Sequence, residues 1–189
     1  RLMINDKIKI VFKTFSLIVF LFISSTNVTF GSELDKLFLK LKKASNQNVA
    51  LKYEGEIWRY WYNDGFNDNS NKIMDECLVF FKNNKLDKAI NCFTDLNKLD
   101  HNWAEPLNKI ATIKFLMGDY EKSIRYIRLT LKKEPRHFGA IAGLVQINVI
   151  LKKYDTALKH LASLEKIHPF ISILSLRPGL EKLLKKHLI

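Results

Sequence analysis

Glycine is scarce in this chain. Seven Gly in 189 residues leave little material for a phosphate-cradling loop or a dinucleotide fingerprint, and neither G-x-S-x-G nor H-E-x-x-H occurs. Two cysteines, Cys77 and Cys92, are too few for a disulfide framework. An oxidising compartment permits a bond between them, but on the two antiparallel helices of one hairpin their expected directions differ. Both therefore read as small buried hydrophobes. Acidic residues are the minority, 19 Asp and Glu against 31 Lys and Arg, for a net charge of +12. The excess is mostly Lys and is scattered, with no basic run longer than a pair such as Lys132-Lys133. A nucleic-acid footprint clusters its cations on one face, so no nucleic-acid partner is expected. An anionic membrane or cell-wall polymer remains the alternative partner.

The histidines offer no chemistry either. His101, His137, His160, His168 and His187 fall at expected helix ends or exposed faces, without Cys or carboxylate partners at metal spacing. Glu54 and Glu56, two apart on a helix, point to different faces and make a poor acid-base pair. No catalytic residue, metal site or cofactor is expected, and the chain reads as non-enzymatic.

What is present is apolar residue in quantity. At 47% hydrophobic, the chain can build a sizeable core. Lys7, Lys9 and Lys13 precede the uncharged run "FSLIVFLFI" at 15–23, which has the length of a signal-peptide core and falls well short of the ~20 residues that span a bilayer. Thr29 and Gly31 satisfy the small-residue rule, so 1–31 reads as a signal peptide cut after Gly31. An uncleaved membrane anchor is the lesser alternative. No Cys follows the run, against a lipid-modified N-terminus. The location implied is periplasmic or secreted.

Set in rows of 34, residues 70–103, 104–137 and 138–171 fall into register. Leu86, Tyr120 and Tyr154 share a column, as do Ala89, Ser123 and Ala157, then Phe93, Ile127 and Leu161, and Cys77, Ala111 and Val145. A 34-residue period of these types is a helix-turn-helix repeat. The small residues belong where the second helix of a row crosses closest to the first. Asn83-Asn84 and Gly118-Asp119 supply turns, because Gly and Asn accept positive φ at low cost. Lys152-Lys153 in row three predicts a less favourable turn. Pro135 and Pro169 end the second helices of rows two and three, and row one has His101 there.

On Ile110, Ala111, Gly118, Tyr120, Ser123, Ile127 and Pro135, residues 70–171 resemble three tetratricopeptide repeats. The departures are Lys114 and Asn148 where the pattern is aromatic, and Glu76 in row one. The whole chain also resembles small exported tetratricopeptide proteins of alphaproteobacteria, through Glu56, Ile57, Trp58, Trp61 and the order of its parts.

The flanks read as helices too. Leu34, Leu37, Phe38 and Leu41 make a helical stripe, and 49–65 puts Ile57, Trp58, Trp61 and Tyr62 on one side. The segment 33–65 is thus an atypical N-terminal helical hairpin, expected to cover the open end of the stack and to bury its aromatics against row one. Residues 172–189 form a capping helix on Leu180, Leu183, Leu184 and Leu188. The fold expected is an all-α helical-hairpin solenoid.

The resemblance assigns a concave groove to the first helix of each row. Its lining would be Asn71, Met74, Leu78, Phe81 and Lys82, then Glu105, Asn108, Thr112, Phe115 and Leu116, then Gly139, Ala142, Gln146, Val149 and Ile150. Apolar and amide-bearing, with Lys82 and Glu105 its only charges, this lining suits an extended peptide or a partner helix. It lacks the Lys and Arg of the carboxylate clamp in some co-chaperone relatives. The terminal helix or a second copy is the competing occupant, and a homo-oligomer stays open. The function expected is an exported scaffold that binds a protein or peptide.

Overall fold

A computed structural model describes residues 32–187. The signal-peptide reading of 1–31 and the expected Leu188 contact lie outside the described residues. Among these, the chain forms nine α-helices, one 3-10 turn and no strand. They are α1 (Glu33–Lys42), α2 (Gln47–Tyr62), α3 (Asp68–Lys82), α4 (Leu86–Leu99), α5 (Glu105–Leu116), α6 (Tyr120–Lys133), α7 (Phe138–Ile150), α8 (Tyr154–Ile167), the 3-10 turn Ser172–Leu176, and α9 (Arg177–His187).

Three hairpins, α3–α4, α5–α6 and α7–α8, repeat one turn geometry. Asn84, Gly118 and Lys152 take φ of 55°, 76° and 57°. In each turn the next N–H reaches back to the first helix, Lys85 to Phe80 O at 2.9 Å, Asp119 to Lys114 O at 2.9 Å and Lys153 to Asn148 O at 2.8 Å. An inner bond accompanies each, Asn84 to Phe81 O, Gly118 to Phe115 O and Lys152 to Val149 O. This is the Schellman closure, which satisfies the carbonyls a helix end leaves free. Lys152 adopts the left-handed conformation without the freedom of Gly or Asn, at a cost of roughly 1–2 kcal/mol.

The small columns mark the helix crossings. Ala89, Ser123 and Ala157 are fully buried, as are Cys77, Ala111 and Val145. Ser123 Oγ donates to Ala111 O at 2.9 Å, a bond between helices that needs both the short side chain and the close approach. In the first hairpin that approach brings Cys77 and Cys92 together as a disulfide, with Cα atoms 5.4 Å apart. The expectation of two free buried thiols is thereby corrected. Facing directions judged from an ideal helix pair ignored how near the crossing lies to Cys92, one turn beyond Ala89.

The N-terminal hairpin is placed differently from expectation. It does not extend the stack beyond row one. Leu34, Leu37, Phe38 and Leu41 of α1 and Ala50, Ile57 and Trp61 of α2 share one core with Phe138 and Ile141 of α7 and Leu164 of α8. Trp58 packs edge-on against Phe138, with centroids 5.2 Å apart. The aromatics are core, but against row three. The hairpin therefore lies along the edge where second helices end and first helices begin.

The same repeat position fastens it three times. Asp100, Glu134 and His168, the C-caps of α4, α6 and α8, all face the N-terminal segment. Asp100 Oδ2 accepts the N–H of Phe66 at 2.6 Å. Glu134 holds Arg136, whose guanidinium pairs with Asp35 at 2.6 Å and lies 4.2 Å from the Phe38 ring centre. His168 meets Glu54 at 3.0 Å. At the far end Leu180 of α9 is buried among Val145, Ala157 and Leu161, while Leu183 is exposed and Leu184 half-buried.

Candidate functional site

Helices α5 and α7 run side by side as the first helices of successive rows. Between them opens a cavity of about 110 Å³ lined by Asn108, Thr112, Phe115, Gly139, Ala142, Gly143 and Gln146, with Ala111, Ser123, Ile127 and Ala140 beneath. Rows two and three thus bring together Asn108, Thr112, Phe115, Ala142 and Gln146 of the expected groove.

Row one contributes nothing to that cavity. Met74 is buried in the core with Cys77, Phe93 and Trp103, so it is not available to a ligand. Leu78 and Phe81 are half-buried against the same core. Asn71 is spent on the loop before α3, where its Oδ1 accepts the N–H of Gly65 at 3.2 Å. Val149 packs against the Val145 and Leu161 cluster. Lys82, Leu116 and Ile150 are exposed at the turn end of the hairpins.

Glu105 is the largest correction. Expected as a charge lining the groove, it is completely buried. Its Oε1 lies 2.8 Å from Lys109 Nζ, and its Oε2 accepts from His137 Nε2 at 2.9 Å and from Asn108 Nδ2 at 3.2 Å. His137 Nδ1 accepts the N–H of Ala140 at 3.1 Å as the N-cap of α7, so Nε2 carries the proton given to Glu105. Trp61 stacks on the imidazole, with centroids 4.0 Å apart and planes at 7°. Lys109 Nζ also donates to Tyr62 Oη at 2.5 Å. Burial pushes the Glu105 carboxyl up, but the His137 bond and the Lys109 charge outweigh it and hold the group below its ordinary range. Burial likewise opposes the Lys109 charge, and Glu105 more than restores it.

The histidine reading is corrected with it. His137 and His168 do stand at helix ends, yet both are fully buried and each bonds a carboxylate. The bond from His168 holds the Glu54 carboxyl low against the opposing effect of burial. Glu56 lines a different hollow, on another side of α2 with Arg59 and Asp64. Among the described residues no group of three or more His, Cys, Asp or Glu is placed to hold a metal.

The buried cluster acts on the cavity through Asn108. With Nδ2 directed to Glu105, the amide is fixed in one orientation and its oxygen is left for an incoming N–H. Thr112 Oγ1 is bonded back to Asn108 O at 3.0 Å. Gln146 is exposed and adds a second amide. Trp58 and the 3-10 segment wall the other side of α7, in a hollow shared by Glu54, Gly139, Ala142, Gln146 and Ile173. The sequence signal for the cluster was the Glu105 to Lys109 spacing of four on one helix. Nothing in sequence linked it to His137 or Tyr62.

No model of a known protein family matches this chain. A TPR repeat-containing protein of Rhizobium etli is 33% identical over 114 residues, which is 60% of this chain and 55% of that relative. The chain thus spans about half the length of the curated relative it matches. Among solved structures, the TPR2AB domain of yeast Sti1, in a complex with pHSP90, aligns over 79% of this chain and 60% of its own, with a TM-score of 0.52 and 14% identity. At that identity the likeness speaks to fold alone, and the fold is a helical solenoid of the same kind. The 34-residue register, the repeated turns and the Rhizobium relative agree: the chain is similar to tetratricopeptide-repeat proteins and has a helical-solenoid fold of their kind.

Proposed function

We propose that this protein is an exported, non-enzymatic scaffold that holds a short extended segment or helix of a partner protein in the cavity between α5 and α7. One observation carries the reading: two parallel helices of successive rows present Asn108, Thr112, Phe115, Ala142 and Gln146 around one opening. The floor accepts an apolar side chain, and the Asn108 and Gln146 amides meet a backbone. Since α5 and α7 are fixed by packing before binding, little ordering cost opposes capture. Beyond α7 the cavity adjoins the hollow lined by Trp58 and Ile173, which shares Gly139, Ala142 and Gln146 with it. The Sti1 domain of similar fold is found in a complex with pHSP90, which supports a protein partner as a class.

Export is supported by the leader-like composition of 1–31 and by the Cys77–Cys92 bond, since disulfides persist in oxidising compartments. N-terminal sequencing of the protein from the periplasm should begin near Ser32. An intact leader in the membrane fraction would favour the anchored form.

The groove is tested with a displayed library of random peptides selected on the oxidised protein. Asn108→Ala with Phe115→Ala should abolish capture of the selected peptides while the helical circular dichroism persists. Retained capture places the site elsewhere.

A further inference from the structure

The three hairpin turns form a second surface, which begins one residue past Phe115 of the cavity lining. Their shared closure puts the ends of α3, α5 and α7 on one rim. Leu116 and Met117 stand there 61% and 48% exposed, and Ile150 and Leu151 47% and 40% exposed. These pairs occupy the same two positions of successive rows, and α5 and α7 are in contact. The four side chains therefore make one apolar edge, which nothing among the described residues covers.

Lysines flank that edge. Lys82 and Lys85 are exposed on the first turn and Lys152 and Lys153 on the third, with Lys88 exposed and Lys114 half-buried nearby. Of the acids at this end, Asp119 and Asp155 are engaged by Lys122 and Lys159 at 2.9 and 2.6 Å. That leaves Asp87 and Glu121 against the lysines. Position 152 holds Lys in spite of its left-handed backbone, where Gly or Asn is cheaper.

We propose that this rim seats the protein on an anionic lipid surface. Apolar tips bordered by lysines match a boundary that is hydrocarbon below and negatively charged above. A peptide groove needs concavity, and none of these four side chains lines the hollows described above. No helix of the described residues is long and apolar enough to cross a membrane.

The test is co-sedimentation with vesicles of phosphatidylglycerol and phosphatidylcholine, against phosphatidylcholine alone. The full chain is used with Val19→Ser, Phe20→Ser and Leu21→Ser, which removes the affinity of the 15–23 run from the comparison. This chain should partition to the anionic vesicles only. Leu116→Ser with Met117→Ser should weaken partitioning roughly tenfold or more, the scale of two half-buried apolar side chains lost. Lys152→Glu with Lys153→Glu should weaken it further at low salt than at high salt. Arg125→Glu with Arg128→Glu on the outer face of α6, and Asn108→Ala in the cavity, should leave it unchanged. Circular dichroism confirms that each variant is folded. Absence of partitioning, equal partitioning to neutral vesicles, or insensitivity to the rim substitutions overturns the proposal. A protein partner captured by the rim without lipid would overturn it too, and the groove reading would stand in every case.

Discussion

The indole of Trp58 rests where a side chain on Gly139 would be. A Cβ added at Gly139 would stand 3.0 Å from Trp58 Cζ2 and 2.6 Å from Cη2, the latter closer than real Cβ contacts come. The N-terminal hairpin thus meets row three through a glycine whose value here is its missing side chain. Trp58 cannot simply swing away, because Trp61 and Phe138 pack against it edge-on at 5.2 Å each.

Gly139→Ala should therefore destabilise the protein by about 1–3 kcal/mol, the usual cost of overpacking. Combined with Trp58→Leu, it should cost less than the two single changes together. A double-mutant cycle of melting temperatures reads the coupling. Strict additivity would mean that the two residues do not meet.

Removing the Cys77–Cys92 bond should also be measurable. The cysteines are 15 residues apart in sequence, and closing a loop of that size contributes about 3 kcal/mol on the chain-entropy account. Cys77→Ala with Cys92→Ala should lower the melting temperature by that scale, and reductant should do the same to the parent. Two reactive thiols in the denatured, unreduced protein would show that the bond is absent.

Ala89, Ser123 and Ala157 announced the stack in the sequence, because a close crossing admits only small side chains and the need recurs with every row. The turns were as legible, since positive φ selects Asn and Gly. Row three kept the same turn on Lys152, which shows that hairpin packing overrides local preference there. The placement of α1 and α2 was not legible. Helical spacing of Trp58, Trp61 and Tyr62 says that one face is apolar, but not which surface covers it, and row three lies as far along the chain as row one lies near. The burial of His137 and His168 followed from that placement, as did the loss of Glu105 from the groove. Asn108, Phe115 and Gln146 reached the cavity because their rows obey the repeat. Met74 and Asn71 did not, because row one is covered by Trp103 and by the loop before α3.

The register makes a sharper demand at Ser123, which is buried with its hydroxyl bonded to Ala111 O. Ser123→Ala should cost about 1 kcal/mol, the net worth of that bond. Ser123→Leu should cost that plus roughly 1–3 kcal/mol for forcing α5 and α6 apart. Unchanged melting of the Leu variant would contradict the crossing.

The Glu105 cluster predicts the acid limb of stability. Glu105 is held below its ordinary pKa of 4.5, with burial opposed by the His137 bond and the Lys109 charge. A lowered acid contributes stability that is complete above the unfolded value and is lost as pH falls through the folded one. The melting temperature should be level near neutrality and decline below about pH 4.5, with Glu54, lowered by His168, adding to the decline. Glu105→Gln strands the Lys109 charge in the interior, which costs roughly 3–5 kcal/mol at neutral pH. The same variant removes the titrating group, so its decline below that pH should be shallower than the parent's. Asp64, pushed up by burial and by Asp100, works in the opposite sense, and Asp64→Asn should raise stability at neutral pH. Melting curves across pH for the three proteins separate these effects. An acid limb of equal slope in the parent and in Glu105→Gln would show that Glu105 does not hold its charge in the fold.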